Sequence, residues 1–300
     1  MTRSIPKGEI FTPNPEEWEL TFCDDFETLD RTKWEFDLGL RRACYNVDDD
    51  DIVFCKDSKL YIRTKWKTGR FGEGWYTALM DTATKNKAAR ERFSPPEAYT
   101  GFSQTYGYFE ARCKVPKILG AWSAFWLMPD NDIAFSENDV QWSGEDGIEM
   151  DVMESPHYHF LLKRDKNQNI HVLHADGYDE RLKTVRSSSF YVPKMYDEFH
   201  TYGFLWEKDK YTFFIDGHKT WETTHVFKGH PMGISKVPEY LLLSCEVGGI
   251  TDENGTILPG KEKDPLTGKI RKCWAGDVEK NDKTKSYDFV VDYVKVWQKK

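Results

Sequence analysis

Apolar and polar residues alternate along most of the chain. In residues 59–65, Leu60, Ile62 and Thr64 oppose Tyr61, Arg63 and Lys65; in residues 108–115, Phe109, Ala111, Cys113 and Val115 oppose Tyr108, Glu110, Arg112 and Lys114. A period of two sends successive side chains to opposite faces, so each segment reads as a half-buried strand. The same pattern predicts strands over 199–206, 210–215, 219–224, 240–247 and 288–298, with Asp216-Gly217 as a two-residue hairpin turn. Residues 83–92 read as an isolated, charged helical piece, and residues 258–272, with Pro259, Gly260, Pro265 and Gly268, as a long loop. Short strands with little helix between them pack as antiparallel sheets, because parallel neighbours need long crossovers. The expected fold is all-β, a jelly-roll sandwich of two antiparallel sheets with a substrate cleft. The apolar run 289–296 ties the chain end into a sheet, and no repeat or Pro/Gly/Ser-rich linker interrupts the sequence. Residues 1–300 are therefore expected to form a single domain.

Composition narrows the partners. A net charge of −8 repels polyphosphates and anionic headgroups, which argues against nucleic acid and membrane. No stretch reaches the roughly 18 apolar residues of a spanning helix, and the first twenty residues lack the apolar core of a secretion signal. The expectation is a soluble chain, cytoplasmic or already trimmed. Six cysteines without Cys-x-x-Cys spacing indicate neither a disulfide scaffold nor a zinc site, and Cys23, Cys113 and Cys245 read as buried strand thiols. Aromatic residues make up 15% of a chain that is 31% charged, more rings than so polar a sequence needs for its core. Most suit strands, and the remainder are available to face a ligand.

The chemistry concentrates in Glu149-Met150-Asp151-Val152-Met153-Glu154. Glu149 and Asp151 share a strand face, whereas Glu154, an odd five residues from Glu149, would point into the core. A one-residue β-bulge near Val152–Met153 returns it to the face of the other two. The glutamates are then effectively four residues apart, about 13 Å along the strand, and inward-leaning side chains bring the carboxylates to about 5 Å. That separation suits a retaining glycosidase, in which one carboxylate attacks the sugar and the other protonates the leaving oxygen. Asp151, between them, can keep Glu154 protonated and orient Glu149. A solvated acidic strand and a hard-cation site remain open on the motif alone.

At these residues the sequence resembles glycoside hydrolase family 16, whose bulged members carry Glu-x-Asp-x-x-Glu on one strand of a jelly roll. The resemblance extends to Tyr106-Gly107-Tyr108-Phe109-Glu110, to Gly120-Ala121-Trp122-Ser123-Ala124-Phe125-Trp126, to Phe199-His200-Thr201-Tyr202-Gly203, and to Val247-Gly248-Gly249. It closes with Val291-Asp292-Tyr293-Val294-Lys295-Val296-Trp297. It implies that Glu149 is the nucleophile, Glu154 the general acid/base and Asp151 a supporting carboxylate. It further implies that Trp122 and Trp126 stack on sugar rings, that His174 lies near the site, and that Trp274 is a cleft-loop tryptophan; Trp142, by its place before Glu149, is a further candidate platform. Spaced four apart, Trp122 and Trp126 either both line the cleft or both fill the core. The implied activity is endo-acting, retaining hydrolysis of internal β-linkages in a polysaccharide, most simply a β-1,3(4)-glucan as in laminarinases. Agar-, carrageenan- or mucin-type galactans are the alternative, and a non-catalytic glycan-binding jelly roll the rival from another class. Residues 41–46 depart from the Asn-rich laminarinase pattern, Ser123 stands where proline is usual, and Glu246 adds a carboxylate. Arg41, Arg42 and Arg63 suit an acidic sugar if they line the cleft and are otherwise solvated. The reaction requires no cofactor. A structural Ca²⁺ with Asp292 as ligand, a monomeric state and an extracellular or cell-surface location are further implications of the resemblance.

Overall fold

A computed structural model describes residues 2–84, 98–130, 147–156, 167–175, 183–224, 234–264 and 267–300, and the backbone alone of 158–159, 164–165, 226–227 and 230–231. Two large sheets account for about half of these residues, with one short 3₁₀ turn, Val278–Lys280. The first sheet runs, edge to edge, through Thr2–Ser4, Ser189–Tyr191, Gln168–Ala175, Glu149–Pro156, Ala121–Pro129, Glu239–Val247, Leu79–Asp81 and Glu35–Phe36. The second is centred on Ser286–Lys299, flanked by Gly107–Lys114 on one side and Leu60–Gly69 on the other. Neighbours within each sheet are mostly distant in sequence and antiparallel, and the chain repeatedly crosses between sheets, as in a jelly roll. No helix among the described residues is long and apolar enough to cross a membrane.

The core is what alternation requires. Phe125, Leu127, Met150, Val152, Leu173, Leu241 and Leu243 point inward from the first sheet and meet Phe109, Ala111, Tyr202, Phe204, Phe289, Val291 and Val294 from the second. This cluster reaches from Phe22 to Val296 in the chain. The predicted strands all form, within a residue or two at most ends: residues 108–115 become Gly107–Lys114, 210–215 become Tyr211–Ile215, and 288–298 lengthen to Ser286–Lys299. Asp216 and Gly217, at φ +51° and +74°, make the two-residue turn between Ile215 and His218, where two successive positive φ angles match strand twist. Residues 258–272 are a correction: Ile257–Pro259 pairs with Gly249–Thr251, and Lys261–Lys263 with Ile270–Lys272. Gly260 and Gly268, at φ +68° and +66°, mark turns beside these small ladders, Pro259 is paired within one of them, and Pro265 lies outside the described residues. Of the helical piece over 83–92, only Ala83 and Thr84 are described, and neither is helical.

The bulge expected in the acidic strand is present. Phe125 pairs with Met153 and Trp126 with Asp151, so Val152 is the extra residue; the other neighbour shows the same slip between Asp151 and Glu154. Val152 and Met153 are both fully buried. The carbonyl that the bulge pulls out of the ladder is not left bare, because His171 Nδ1 donates to Val152 O at 2.7 Å. His171 is itself fully buried, and burial lowers its pKa to about 4, so near neutral pH it carries no charge. Its Nε2 lies 2.9 Å from Thr220 Oγ1 on the opposite sheet. Replacing His171 by Phe keeps the ring but leaves a buried carbonyl unpaired, which costs about 1–3 kcal/mol. Thermal unfolding of His171→Phe should show a midpoint lowered by roughly 2–4 °C per kcal/mol, and an unchanged midpoint would show that the bulge needs no such cap.

Candidate active site

Paired residues share a face, so strand register assembles the site on the outer face of the first sheet. Glu149 pairs with His174, Asp151 with Trp126 and Val172, and Glu154 with Ala124 and Ile170. One strand further out on either side, Trp122 pairs with Glu246, His174 with Thr184 and Val172 with Arg186. The extra residue at Val152 is what lets Glu154 join Glu149 and Asp151 while Met150, Val152 and Met153 all enter the core.

The three carboxyls are poorly solvated. Glu149 and Asp151 are 8% and 4% exposed, Glu154 is half-buried, and Glu149 Oε2 and Asp151 Oδ2 have no hydrogen-bond partner among the described residues. Burial is the main cause lifting all three above the usual carboxylate range, followed by the charge of Glu154 at Glu149 and Asp151, and of Glu246 at Glu154. Arg41 and Arg42 oppose the rise at Glu149; Arg42 and Arg186 oppose it at Glu154. Groups so placed share protons and titrate as a set. His174 completes the set: Nε2 is 3.7 Å from Asp151 Oδ2, and Nδ1 is 2.8 Å from Thr184 Oγ1. Burial lowers its pKa to about 4, so it faces the carboxyls as a neutral ring.

Glu246 is a fourth carboxylate, 5% exposed, and unlike the others it is fully paired. Arg41 Nε donates to Oε1 at 2.6 Å and Arg42 Nε to Oε2 at 2.5 Å. Burial pushes Glu246 up, but the two guanidiniums outweigh it and hold the pKa at about 2. The arginines flank a tight turn between Gly39–Arg41 and Cys44–Asn46, where Arg42 adopts φ +56°. The two are therefore not a solvated loop pair; they border the site. Arg63 does not. It forms a bidentate pair with Asp288 on the second sheet, where Asp292 in turn is held by Arg112 and Lys59. Arg186 is exposed and has no hydrogen bond or ion pair among the described residues.

The tryptophans lie outside the main core, on the carboxyl face, and neither Trp122 nor Trp126 is bare. Trp126, 8% exposed, packs with Leu79, Ala124, Tyr240 and Leu242, and donates Nε1–H to Ser244. Trp122, 7% exposed, has the Arg42 guanidinium 5.0 Å over its ring and Trp274 at 5.6 Å. Trp274 is only half-buried and presents the more open ring of the two. Beside Arg42 a concavity of about 720 Å³ continues over Leu40, Gly249, Ile250, Leu258 and Ile270. Trp142 lies outside the described residues. The sequence reading missed His171, although the signal was available: it sits an odd three residues from His174 and so had to face the opposite side. It also missed the pairing of Glu246 with Arg41 and Arg42, which joins residues some two hundred positions apart and has no local signature.

Comparison with known proteins agrees with this geometry. The chain is 30% identical over 154 residues to the endo-1,3-1,4-beta-glycanase ExsH of Rhizobium meliloti, covering 51% of this chain and 27% of that protein. It is 27% identical over 203 residues to a beta-glucanase of Rhodothermus marinus, covering 66% of this chain and 63% of that one. The chain thus spans less than two thirds of the length of these relatives. In fold it matches the catalytic domain of an endo-1,3-beta-glucanase (laminarinase) from Thermotoga petrophila, with a TM-score of 0.63 and 18% identity over 95% of this chain and 99% of that domain. The family model for glycosyl hydrolases family 16 matches residues 75–256, a span that contains the bulged acidic strand, its two neighbours and Glu246, and the chain belongs to that family.

Proposed function

We propose that the chain is a retaining, endo-acting glycoside hydrolase that cuts internal β-linkages of a neutral glucan, an endo-β-1,3(4)-glucanase. The observation that carries the reading is the bulge at Val152, which brings Glu154 to the face of Glu149 and Asp151. A glycan-binding jelly roll would have no use for two nearly buried, partly unsatisfied carboxyls, which are costly to keep. The names of the relatives supply the substrate class.

In the proposed reaction Glu149 attacks the anomeric carbon as the bond to the leaving oxygen breaks, and Glu154 gives that oxygen its proton. Glu154 then takes a proton from water, the water attacks the same carbon, and the bond to Glu149 breaks, so configuration is retained. Asp151, 3.7 Å from His174, stands between the two and is proposed to orient Glu149, while burial and the charge of Glu246 resist ionisation of Glu154. Trp126, Trp274 and Trp142 are the proposed sugar platforms, with Trp122 behind Trp274. The scheme uses no resident metal or redox cofactor, and a polymeric substrate places the protein outside the cell or at its surface, acting as a monomer. Arg186, cationic and unpaired among the described residues, favours as second reading an endo-acting enzyme on anionic or galactan-type polymers.

Laminarin or lichenan should yield new reducing ends, and agarose, carrageenan and mucin-type galactans should not; release from the galactans alone would transfer the assignment to the second reading. Glu154→Gln should lower kcat/KM on glucan by about 10²–10⁴-fold, and Glu149→Gln should remove the covalent route, a loss on the order of 10³-fold or more. Glu149→Gln should also be more stable than the parent. A carboxyl whose folded pKa is raised contributes stability only while protonated, and loses it as pH rises from about 4.3 through its folded value. The melting temperature of Glu149→Gln should therefore match the parent below pH 4 and exceed it increasingly toward pH 9; a gap that shrinks with pH would mean the carboxyl is not buried as described. Glu246→Gln removes a charge that raises the Glu154 pKa, so the alkaline limb of the kcat/KM profile should move to lower pH.

A further inference from the structure

We propose that Glu149, Asp151 and His174 form a binding site for one zinc-class divalent cation, and that the bound ion excludes sugar from the carboxyls. One ligand atom from each residue lies within 4.8 Å of the other two. Each carboxyl carries an oxygen that no described residue hydrogen-bonds, Glu149 Oε2 and Asp151 Oδ2, on side chains more than nine-tenths buried. The third ligand is fixed by its neighbour. His174 Nδ1 lies 2.8 Å from the Thr184 hydroxyl; with Nδ1–H donated there, the lone pair on Nε2 faces Asp151 Oδ2 at 3.7 Å. Two acceptors that confront each other in a dry site need a proton or a cation between them.

The donor set selects the ion. Zinc takes imidazole nitrogen and carboxylate oxygen together in four-coordinate sites that keep one position open, and the Thr184 hydroxyl is placed to accept the other ring N–H, the support that a ligating imidazole needs. Ligands at about 2.1 Å from a tetrahedral ion stand about 3.4 Å apart, so the His174–Asp151 separation is nearly right and the longer approach needs side-chain adjustment of little more than 1 Å. Calcium and magnesium favour shells made of oxygen alone, and the imidazole nitrogen of His174 does not suit them. Such an ion would occupy an oxygen of Glu149, the group that must reach the anomeric carbon. Metal and substrate are then mutually exclusive; that consequence, unlike binding itself, rests on the function proposed above.

The test is calorimetric titration of the tag-free chain with zinc chloride, followed by glucan hydrolysis with and without zinc. The parent should bind one ion more than Glu149→Gln or His174→Gln, and Thr184→Ala should bind that ion about 10-fold more weakly or worse. Calcium and magnesium at millimolar concentration should not displace it. Undiminished zinc binding in both single variants, or none in the parent, would overturn the site whether or not any glucan is cut. Zinc should raise KM without changing kcat, and chelation should restore the parent value. Zinc that binds yet leaves hydrolysis untouched would overturn the exclusion while leaving the site.

Discussion

A strand that must show acids at both ends of a five-residue span while burying the residues between cannot keep a strict period of two. Here the conflict is resolved by one extra residue. Val152 and Met153 both enter the core, Glu154 returns to the outer face, and the carbonyl displaced in the process is capped by His171 from the neighbouring strand. The cap reaches further, because the other nitrogen of His171 lies against Thr220 on the opposite sheet. The geometry of the carboxyls thus depends on how the two sheets pack as well as on their own strand.

Burying acids is the cost of this arrangement, and the protein meets it unevenly. Glu246 is given two guanidiniums and stays ionised. Glu149 is only partly compensated by Arg41 and Arg42, Glu154 only partly by Arg42 and Arg186, and Asp151 by neither set, so the affinity of all three for protons rises. The contrast is useful chemically. A permanently charged, fully paired carboxylate beside three incompletely satisfied ones supplies a fixed field, while the others remain free to exchange protons or to accept a cation. Stability is given up at the site that is proposed to act, a common trade in enzymes.

The tryptophans illustrate how one pattern resolves differently at two places. Trp122 and Trp126 share the outer face, as their spacing of four requires, and both are largely covered. Trp126 is surrounded by apolar residues of its own sheet and secured through Ser244. Trp122 is closed over by Arg42 and Trp274, residues contributed by a distant turn and by the segment after the second small ladder. Ring exposure is therefore decided by what the loops lay over the sheet.

Much of this was legible in the chain. Alternation alone located the main strands, the odd spacing of Glu154 called for the bulge, and the aromatic excess divided between core and outer face. Those features are local: side-chain direction in a strand follows from parity, and a carboxylate cannot face an apolar core unpaired. The ladders within 258–272 were hidden because Pro and Gly mark turns and loops alike, and only the partner strand tells them apart. Which arginines meet Glu246 and which ring covers Trp122 were fixed by tertiary structure alone. Each joins groups far apart in sequence, and their distance and shared burial exist only once the sheets have paired and the loops have closed over them.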